Sequence, residues 1–247
     1  LQLARGLAAR GHDVACAVRP GSALAARLRA AGLAVRELPL VDWYEPRGAL
    51  RLAAWLRRSR FAIVHAHCPR DYYLAATAAA LAGASAAADA AVRCVGTRHL
   101  LRPIGTPALK RPFFARLSAM IAVSAAVRRA FLAAGVMDPA RVVTVPNGVD
   151  TARVVPERNG LRRRAGLGDD ALVIGYVGRL SPEKGVPTLL EAARRLRPVA
   201  DGGARVFLLG DDPRPGGAYG AGLRRLAGEL GLDGRVHFFG WVEDAEA

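Results

Sequence analysis

Residues 175–187 read Gly-Tyr-Val-Gly-Arg-Leu-Ser-Pro-Glu-Lys-Gly-Val-Pro, and this stretch decides the interpretation of the fold. It predicts a strand, a loop that holds Gly178, Arg179 and Lys184, and a helix with Pro187 near its first turn. Glycine permits a close backbone approach, and a helix start offers free N–H groups and a positive dipole end. Two cations flank the same space. The stretch therefore predicts a diphosphate site, with an ordinary solvated strand-to-helix loop as the alternative.

Two common phosphate-binding motifs are absent from the sequence. No Gly-Lys-Ser/Thr follows the loop, so it is not a Walker A loop. No Gly-x-Gly-x-x-Gly fingerprint of a dinucleotide-binding domain occurs.

Short apolar strands alternate with helices rich in Ala, Leu and Arg on both sides of this stretch. Such alternation is typical of a parallel sheet with helices on both faces. In the first part of the chain we predict strands at 13–18, 33–38, 61–65, 91–97, 120–123 and 141–145, with helices at 23–31, 50–58, 74–81 and 125–134. In the second part we predict strands at 172–177, 205–209 and 235–239, with helices at 188–197 and 223–230.

The pattern is interrupted by the turn-forming residues 146–148 and by a polar, Arg-rich segment at 150–168. We therefore predict an α/β fold with two Rossmann-like, doubly wound parallel-sheet domains, at 1–150 and 151–247. We expect both to be incomplete. The first lacks its opening strand, and the second has too few strands to close a doubly wound sheet.

The net charge of +15 is unevenly distributed. Residues 1–150 carry 21 Lys and Arg against 8 Asp and Glu, whereas residues 151–247 carry 15 against 13. One interpretation of this uneven charge is simply an arginine-rich composition of the chain. The other is attraction of the first half to phospholipid headgroups, a lipid-phosphate acceptor or nucleic acid. No nucleic-acid-binding motif occurs, and aromatic residues are only 6%, so we expect no nucleic-acid partner.

The sequence also bounds the cellular location. No apolar run reaches the roughly 18 residues that a membrane span needs. The odd number of cysteines, three, argues against a disulfide framework and for a reducing compartment. We expect a cytoplasmic protein, and the basic first half raises the hypothesis of peripheral contact with the inner face of the membrane.

Residues 177–185 (Val-Gly-Arg-Leu-Ser-Pro-Glu-Lys-Gly), preceded by 145–150 (Val-Pro-Asn-Gly-Val-Asp), closely resemble the retaining GT-B glycosyltransferases often called family 4. The resemblance extends from end to end, with the segments in the expected order. The other segments that carry it are 3–12, 64–67, 121–124, 206–211 and 236–240.

The resemblance implies catalytic roles for three residues. Arg179 and Lys184 would bind the donor diphosphate and offset charge on the leaving group, and Gly178 would let the backbone approach it. His99 occupies the position of the family's active-site histidine, near the transferred sugar.

The resemblance also implies binding roles. Gly210 and Asp211 would lie near the donor nucleotide, although the family usually has glycine where this chain has Asp212. Ser124 and Asn147 would line or brace the cleft between the domains.

Alternation along a strand end places His65 and His67 on one face. A metal pair with the adjacent Cys68 is conceivable, but no further ligands occur at suitable spacing, so we expect no metal site. His67 lies nearer the carboxyl end of the strand, where parallel sheets bind ligands, and we assign it to the cleft.

The function implied by the resemblance is transfer of a sugar from a nucleoside diphosphate sugar to a hydroxyl acceptor with retention, without a cofactor. Front-face attack assisted by the leaving phosphate is the implied mechanism. The acceptor can be a glycan, a lipid-linked or a small molecule, in cell-envelope glycan or glycolipid synthesis, and UDP- and GDP-linked donors both remain open. The alternatives are a nucleotide-sugar epimerase on the same scaffold and a non-catalytic basic nucleic-acid-binding protein.

The resemblance further implies a Gly-rich loop before Leu1 and a Glu-x7-Glu segment after Ala247, so we expect the 247-residue piece alone to be inactive. Residues 98–116 mix cations with bulky apolar side chains. They predict either a loop with a half-buried helix or an acceptor edge that faces a membrane.

Overall fold

The computed structural model describes residues 1–39, 46–83, 91–149, 160–196 and 204–242. The chain divides into two compact units, Leu1–Gly148 (unit 1) and Val149–Ala247 (unit 2). Each unit is built from alternating strands and helices, and every pair of strands in the described residues is parallel. The predicted α/β class with parallel sheets is confirmed.

The described residues of unit 1 form two parallel sheets. Strand β1 pairs with β2 in one, and the other has the order β3-β4-β5-β6. The strands are β1 (Ala15–Val18), β2 (Ala34–Glu37), β3 (Ile63–Ala66), β4 (Arg93–Arg98), β5 (Ala119–Ala122) and β6 (Val142–Thr144). The helices are α1 (Gln2–Ala8), α2 (Ala23–Ala30), α3 (Pro46–Ser59), α4 (Pro69–Gly83), α5 (Pro107–Ala115) and α6 (Ala125–Leu132).

The main core of unit 1 forms where α4, α5 and α6 pack on the four-stranded sheet. Tyr72, Phe114 and Phe131 are almost fully buried there, together with Met120 from β5. The Tyr72 hydroxyl donates a hydrogen bond of 2.6 Å to the carbonyl oxygen of Thr97, which satisfies the one polar atom of that side chain. This packing fixes the carboxyl end of β4.

In the described part of unit 2, the strands form a parallel sheet with the order β7-β8-β9. Val206 and Leu208 of the central strand face one core, and Phe207 and Leu209 face the other side. A strand buried on both faces is expected for the middle of a parallel sheet. The elements are α7 (Leu161–Arg164), β7 (Val173–Val177), α8 (Val186–Arg195), β8 (Arg205–Leu209), α9 (Ala218–Glu229) and β9 (Val236–Gly240).

Several boundaries differ from the sequence expectation. Helix α4 begins at Pro69 rather than at residue 74, because proline at the first helical position and Asp71 in the first turn both suit a helix start. Helix α9 begins at Ala218 rather than at residue 223, after two glycines with left-handed backbone. Residues 150–159, in which the predicted domain boundary falls, lie outside the described residues.

Candidate functional site

Three histidines lie side by side at the carboxyl edge of the four-stranded sheet in unit 1. The ring centroids of His65 and His67 are 4.2 Å apart, and those of His67 and His99 are 5.9 Å apart with an angle of 30° between the ring planes. His65 Nε2 and Thr97 Oγ1 are 2.7 Å apart, so a hydrogen bond joins the ends of β3 and β4. The predicted placement of His65 and His67 on one face agrees with this geometry.

Two of the three histidines, His65 and His67, have lowered pKa values. Burial, together with the smaller effects of the neighbouring His67 and His99, lowers the pKa of His65 to about 4. Burial, followed by the proximity of His99, also lowers the pKa of His67. At neutral pH, His65 and His67 therefore present uncharged imidazoles that accept or donate a single hydrogen bond at each nitrogen.

The start of α4 lies beside the histidine row. Burial raises the pKa of the Asp71 carboxyl, although Arg70 Nε is only 3.5 Å from Asp71 Oδ1. Burial also raises the pKa of the Cys68 thiol, and Asp71 adds to that effect. A raised pKa keeps the Cys68 thiol protonated at neutral pH, which disfavours its use as a nucleophile.

Arg98 is a feature that the sequence analysis did not assign. Only 5% of this arginine is exposed, and its guanidinium group lies 5.8 Å from the centre of the Phe131 ring. It donates a hydrogen bond to the carbonyl oxygen of Arg102, which holds the loop that begins with His99. Adjacent strand residues point to opposite faces, so the guanidinium supports the loop from the side away from Thr97.

The two remaining predicted residues of unit 1 follow neighbouring strands. Ser124 comes after β5 and is the N-cap of α6, where its Oγ accepts a hydrogen bond of 3.2 Å from the Val127 N–H. Asn147 comes after β6 and is exposed. The side chain of Ser124 thus has a defined role in helix capping in addition to any role in a cleft.

In unit 2 the predicted diphosphate loop follows β7. Arg179 is exposed and pairs with Glu183 at 3.9 Å, and the Tyr176 hydroxyl donates a 2.8 Å hydrogen bond to the Arg179 carbonyl oxygen. Lys184 ends a short 3₁₀ turn at residues 182–184, and Gly185 then adopts a left-handed backbone with φ of 68° before α8 starts. The loop therefore presents both cations to solvent at the start of a helix.

Gly210 is the tightest point of this edge. Its φ is 131°, and a Cβ atom added to it would lie 2.0 Å from the carbonyl oxygen of Gly178. The Gly178 N–H donates to Leu209 O at 2.9 Å, and the Gly210 N–H donates to Gly240 O at 2.7 Å. The ends of β7, β8 and β9 are thus joined backbone to backbone, which only a residue without a side chain permits at position 210.

Asp212, where the family usually has glycine, closes the N-terminus of α9. Its Oδ2 accepts hydrogen bonds from the N–H groups of Tyr219 at 2.8 Å and Gly220 at 3.1 Å, and its Oδ1 accepts from Arg214 N–H at 3.0 Å. Partial desolvation raises the pKa of Asp212, but these three donors outweigh it and hold the pKa below its usual range. The carboxylate satisfies backbone donors that the N-cap Gly217 leaves open.

A cavity of about 330 Å³ opens at the same edge of unit 2. Arg224 lies over the Phe238 ring, 4.7 Å from its centre, on one side of the cavity. Trp241, which directly follows the cavity residue Gly240, is 67% exposed. The lining residues are Leu180, Gly210, Asp211, Asp212, Gly217, Gly220, Arg224, Phe238 and Gly240.

The predicted residues thus form two groups. His67 and His99 meet in unit 1, and Gly178, Gly210 and Asp211 meet in unit 2, with Arg179 and Lys184 in the loop beside them. In the described part of the chain, no three His, Cys, Asp or Glu residues are grouped so as to hold a metal ion. No helix among the described residues has both the length and the apolar character needed to span a bilayer.

Comparison with known families covers nearly the whole chain. The model of Glycosyltransferase Family 4 matches residues 1–153, and that of Glycosyl transferases group 1 matches residues 157–247.

Curated relatives match a shorter part. The D-inositol 3-phosphate glycosyltransferase of Stackebrandtia nassauensis is 38% identical over 105 residues, which are 41% of this chain and 24% of that protein. The enzyme of the same name from Mycobacterium bovis BCG Pasteur is 39% identical over 102 residues, which are 41% of this chain and 20% of that protein. The matched part is thus about a quarter of these relatives or less.

Solved structures share the fold. HepE of Anabaena, in complex with UDP and glucose, superimposes with a TM-score of 0.78 at 22% identity, over 99% of this chain and 66% of HepE. A glycosyltransferase from Rickettsia africae gives a TM-score of 0.79 at 17% identity, over 99% of this chain and 64% of that one.

Proposed function

We propose, from the premise that this chain belongs to glycosyltransferase family 4, that the protein containing it transfers a sugar from a nucleoside diphosphate sugar to a hydroxyl acceptor. The observation that carries the proposal is the edge of unit 2, where Gly210 and Gly240 line an open cavity and the loop after β7 exposes two cations. No bulky side chain from Gly178, Gly210 or Gly240 restricts the approach of a ligand there.

The diphosphate of the donor binds the loop after β7. Arg179 and Lys184 supply positive charge, and the start of α8 supplies backbone N–H groups. The N-terminus of α9 is less suited to a phosphate, because Asp212 already occupies its N–H groups with a carboxylate. The nucleoside then lies toward the cavity beside Gly210 and Asp211.

The donor carries a uridine or guanosine nucleotide. Solved HepE structures contain UDP and UDP-glucose, and this favours testing uridine donors first. Arg179 and Lys184 would stabilise the diphosphate as it leaves, so the proposal requires no divalent metal and no cofactor.

The acceptor binds the histidine edge of unit 1. His99 lies near the transferred sugar, and His67 stacks beside it as an uncharged ring. The names of the curated relatives point to a phosphorylated polyol as one acceptor to test, beside glycans and lipid-linked sugars. Ser124 and Asn147 would brace the cleft.

The reaction proceeds with retention of the anomeric configuration. The acceptor hydroxyl attacks from the face that the diphosphate leaves, and a phosphate oxygen takes the hydroxyl proton as the glycosidic bond forms and the bond to the diphosphate breaks. No carboxylate nucleophile is needed on this route. We place the enzyme in the cytoplasm, at the inner face of the membrane, in cell-envelope glycan or glycolipid synthesis.

The first test measures nucleotide binding. UDP, GDP, UDP-glucose and GDP-mannose are titrated calorimetrically into the complete protein that contains this chain, and Arg179→Ala and Lys184→Ala should each weaken binding about tenfold or more. Arg225→Ala is the matched control, because Arg225 and Glu229 form an exposed pair at the same spacing as Arg179 and Glu183. If the control weakens binding as much as Arg179→Ala, or no nucleotide binds, the donor site is wrong.

The second test uses the complete protein with a panel of donors and acceptors. Sugar transfer that depends on an acceptor, with an α-linked product from an α-linked donor, would support the proposal. Conversion of the nucleotide sugar itself without an acceptor would identify an epimerase instead. An inverted product would refute retention while leaving the donor site intact.

A further inference from the structure

Residues 98–116 of unit 1 form a segment with an anchored inner side. Ile104 and Phe113 pack against the main core, and Phe114 is buried in it. The Phe113 ring meets Tyr73 edge to face, with centroids 5.3 Å apart. Arg98 fixes the loop from below through the Arg102 carbonyl oxygen. The exposed residues of the segment, called its outer side below, are therefore held in place by a packed inner side.

The outer side exposes three large apolar residues close together in sequence. Leu100 is 46% exposed, Leu101 60% and Leu109 74%. Single exposed leucines are ordinary on a protein surface, but several in one short anchored segment indicate a contact surface. None of the three contributes to the core clusters of unit 1.

The same segment carries cations that have no nearby acids. Arg102, Arg111 and Arg116 are exposed, and Lys110 is half-buried. From residue 90 to residue 137 the chain has eight Lys and Arg and no Asp or Glu. Within the parts of the chain that the structure describes, no carboxylate lies within 4.0 Å of these cations.

We propose that this outer side docks on an anionic phospholipid bilayer. The basic leucine surface consists of Leu100, Leu101, Arg102, Leu109, Arg111 and Arg116. Its leucines would enter the headgroup and acyl boundary while its arginines contact lipid phosphates, as at other basic and apolar interfacial surfaces. The inference deepens the proposed function and rests on it, because docking would bring the acceptor-side unit to a lipid-linked acceptor.

The side-chain types favour a bilayer over single-stranded nucleic acid. Nucleic-acid surfaces of that kind combine cations with aromatic rings on which bases stack. Here the exposed apolar groups are leucines, and the aromatic rings of Phe113 and Phe114 face inward. Leucine offers no flat face to a base, whereas it partitions readily into acyl chains.

Co-sedimentation with vesicles tests the surface on the 247-residue chain. We expect binding to vesicles of phosphatidylcholine with 30% phosphatidylglycerol to be at least tenfold tighter than to phosphatidylcholine alone. The double variants Leu101→Gln/Leu109→Gln and Arg102→Ala/Arg111→Ala should each weaken binding about tenfold. Thermal unfolding of each variant checks that the fold is kept, and the charge variant leaves the leucines in place as a second, independent test.

The control uses another exposed basic and apolar face of the same unit, on α3. The triple variant Arg47→Ala/Leu50→Gln/Arg51→Ala removes similar charge and apolar surface there and should change vesicle binding less than twofold. Equal losses from both faces would overturn the proposal, since binding would then follow net charge alone.

Two other results would also overturn it. One is the absence of a preference for anionic vesicles. The other is tighter binding to single-stranded RNA than to vesicles, unchanged by Leu101→Gln/Leu109→Gln. Nucleotide binding at unit 2 separates this inference from the proposed function. If nucleotide sugars bind and vesicles do not, only the docking surface fails, and if vesicles bind without nucleotides, only the donor site fails.

Discussion

The carboxyl edges of the sheets in the two units differ in whether side chains or backbone groups form them. In unit 1 the carboxyl edge is made of side chains, with the rings of His65, His67 and His99 in a row. In unit 2 the corresponding edge is made of backbone, with Gly178 and Gly210 in contact and strand ends hydrogen-bonded through main-chain groups. The first edge should therefore respond to protonation, and the second should respond to any added side chain.

The largest effect is expected at the backbone edge. Gly210→Ala should lower the free energy of unfolding by about 3 kcal/mol or more, because the new Cβ would meet the Gly178 carbonyl oxygen, which cannot move without shifting β7. Urea unfolding followed by circular dichroism measures the change. Gly222→Ala is the control, since nothing lies within 4 Å of its added Cβ and alanine suits a helix. Equal unfolding midpoints for the two variants would contradict the close contact between position 210 and the Gly178 carbonyl oxygen.

A glycine of unit 1 sharpens the contrast. Gly96→Ala in β4 would place its Cβ 2.8 Å from the terminal methyl group of Met120, the flexible end of a side chain. The methionine can turn away, so we expect a loss of only about 1 kcal/mol, measured by the same urea unfolding. A loss as large as that of Gly210→Ala would show that both edges are equally rigid.

The Asp212 carboxylate accepts backbone hydrogen bonds at the N-terminus of α9 in unit 2. Asp212→Ala should lower the melting temperature by about 3 °C at pH 7, because it leaves N–H groups of α9 without an acceptor. The pKa of Asp212 is lowered in the folded state, so its stabilisation is present above the unfolded pKa of about 4 and is lost as pH falls through the folded value. The difference between variant and parent should therefore shrink toward pH 2.

Asp233→Ala is the control for Asp212, because Asp233 lies beyond the opposite, carboxyl end of α9. A carboxylate does not stabilise that end of a helix, so we expect no loss of melting temperature. A loss equal to that of Asp212→Ala would mean that removal of negative charge, rather than of the cap, causes the effect.

The smallest effect concerns protonation of the histidine edge. The pKa of His65 is about 4 in the folded chain and about 6.5 when unfolded, so the unfolded chain takes up the proton first as pH falls. Stability is unaffected above pH 6.5 and decreases between about pH 6.5 and 4. His65→Gln should remove about 0.5 kcal/mol of this loss at pH 5.5, after solvent screening of a partly exposed ring is considered.

Chemical unfolding at several pH values measures this slope. His12→Gln, at an exposed histidine in the turn after α1, should leave the slope unchanged. If His65→Gln also leaves it unchanged, the histidine row is not a pH-responsive element.

The sequence predicts most of the fold, because strands and helices follow the apolar pattern. Strand β8 matches the predicted range 205–209, and its alternating burial on both faces is what a central strand requires. Helix starts are less predictable. The early start of α4 at Pro69 depends on local signals that the apolar pattern does not include.

Some candidate site residues can be predicted from the sequence because their chemical type and their place at the end of a strand are both visible there. Histidines at strand ends and cations in a Gly-containing loop can be identified from order alone. The contact of Gly210 with Gly178 and the closure of α9 by Asp212 could not, because they join residues that are distant in sequence or separated by a loop. Arg98 was missed for a similar reason, since an arginine in a surface segment gives no sign of burial beneath it.

The exposed indole of Trp241 has a practical optical consequence. It directly follows Gly240, so a ligand that fills the cavity would change the emission intensity and wavelength of this fluorophore. Trp55 in unit 1 instead packs edge to face on Phe61, with centroids 5.3 Å apart, and belongs to a different environment. Fluorescence titration, with Trp241→Phe as the reference that keeps only the emission of the other two tryptophans, would therefore report occupancy of unit 2 in real time and without a label.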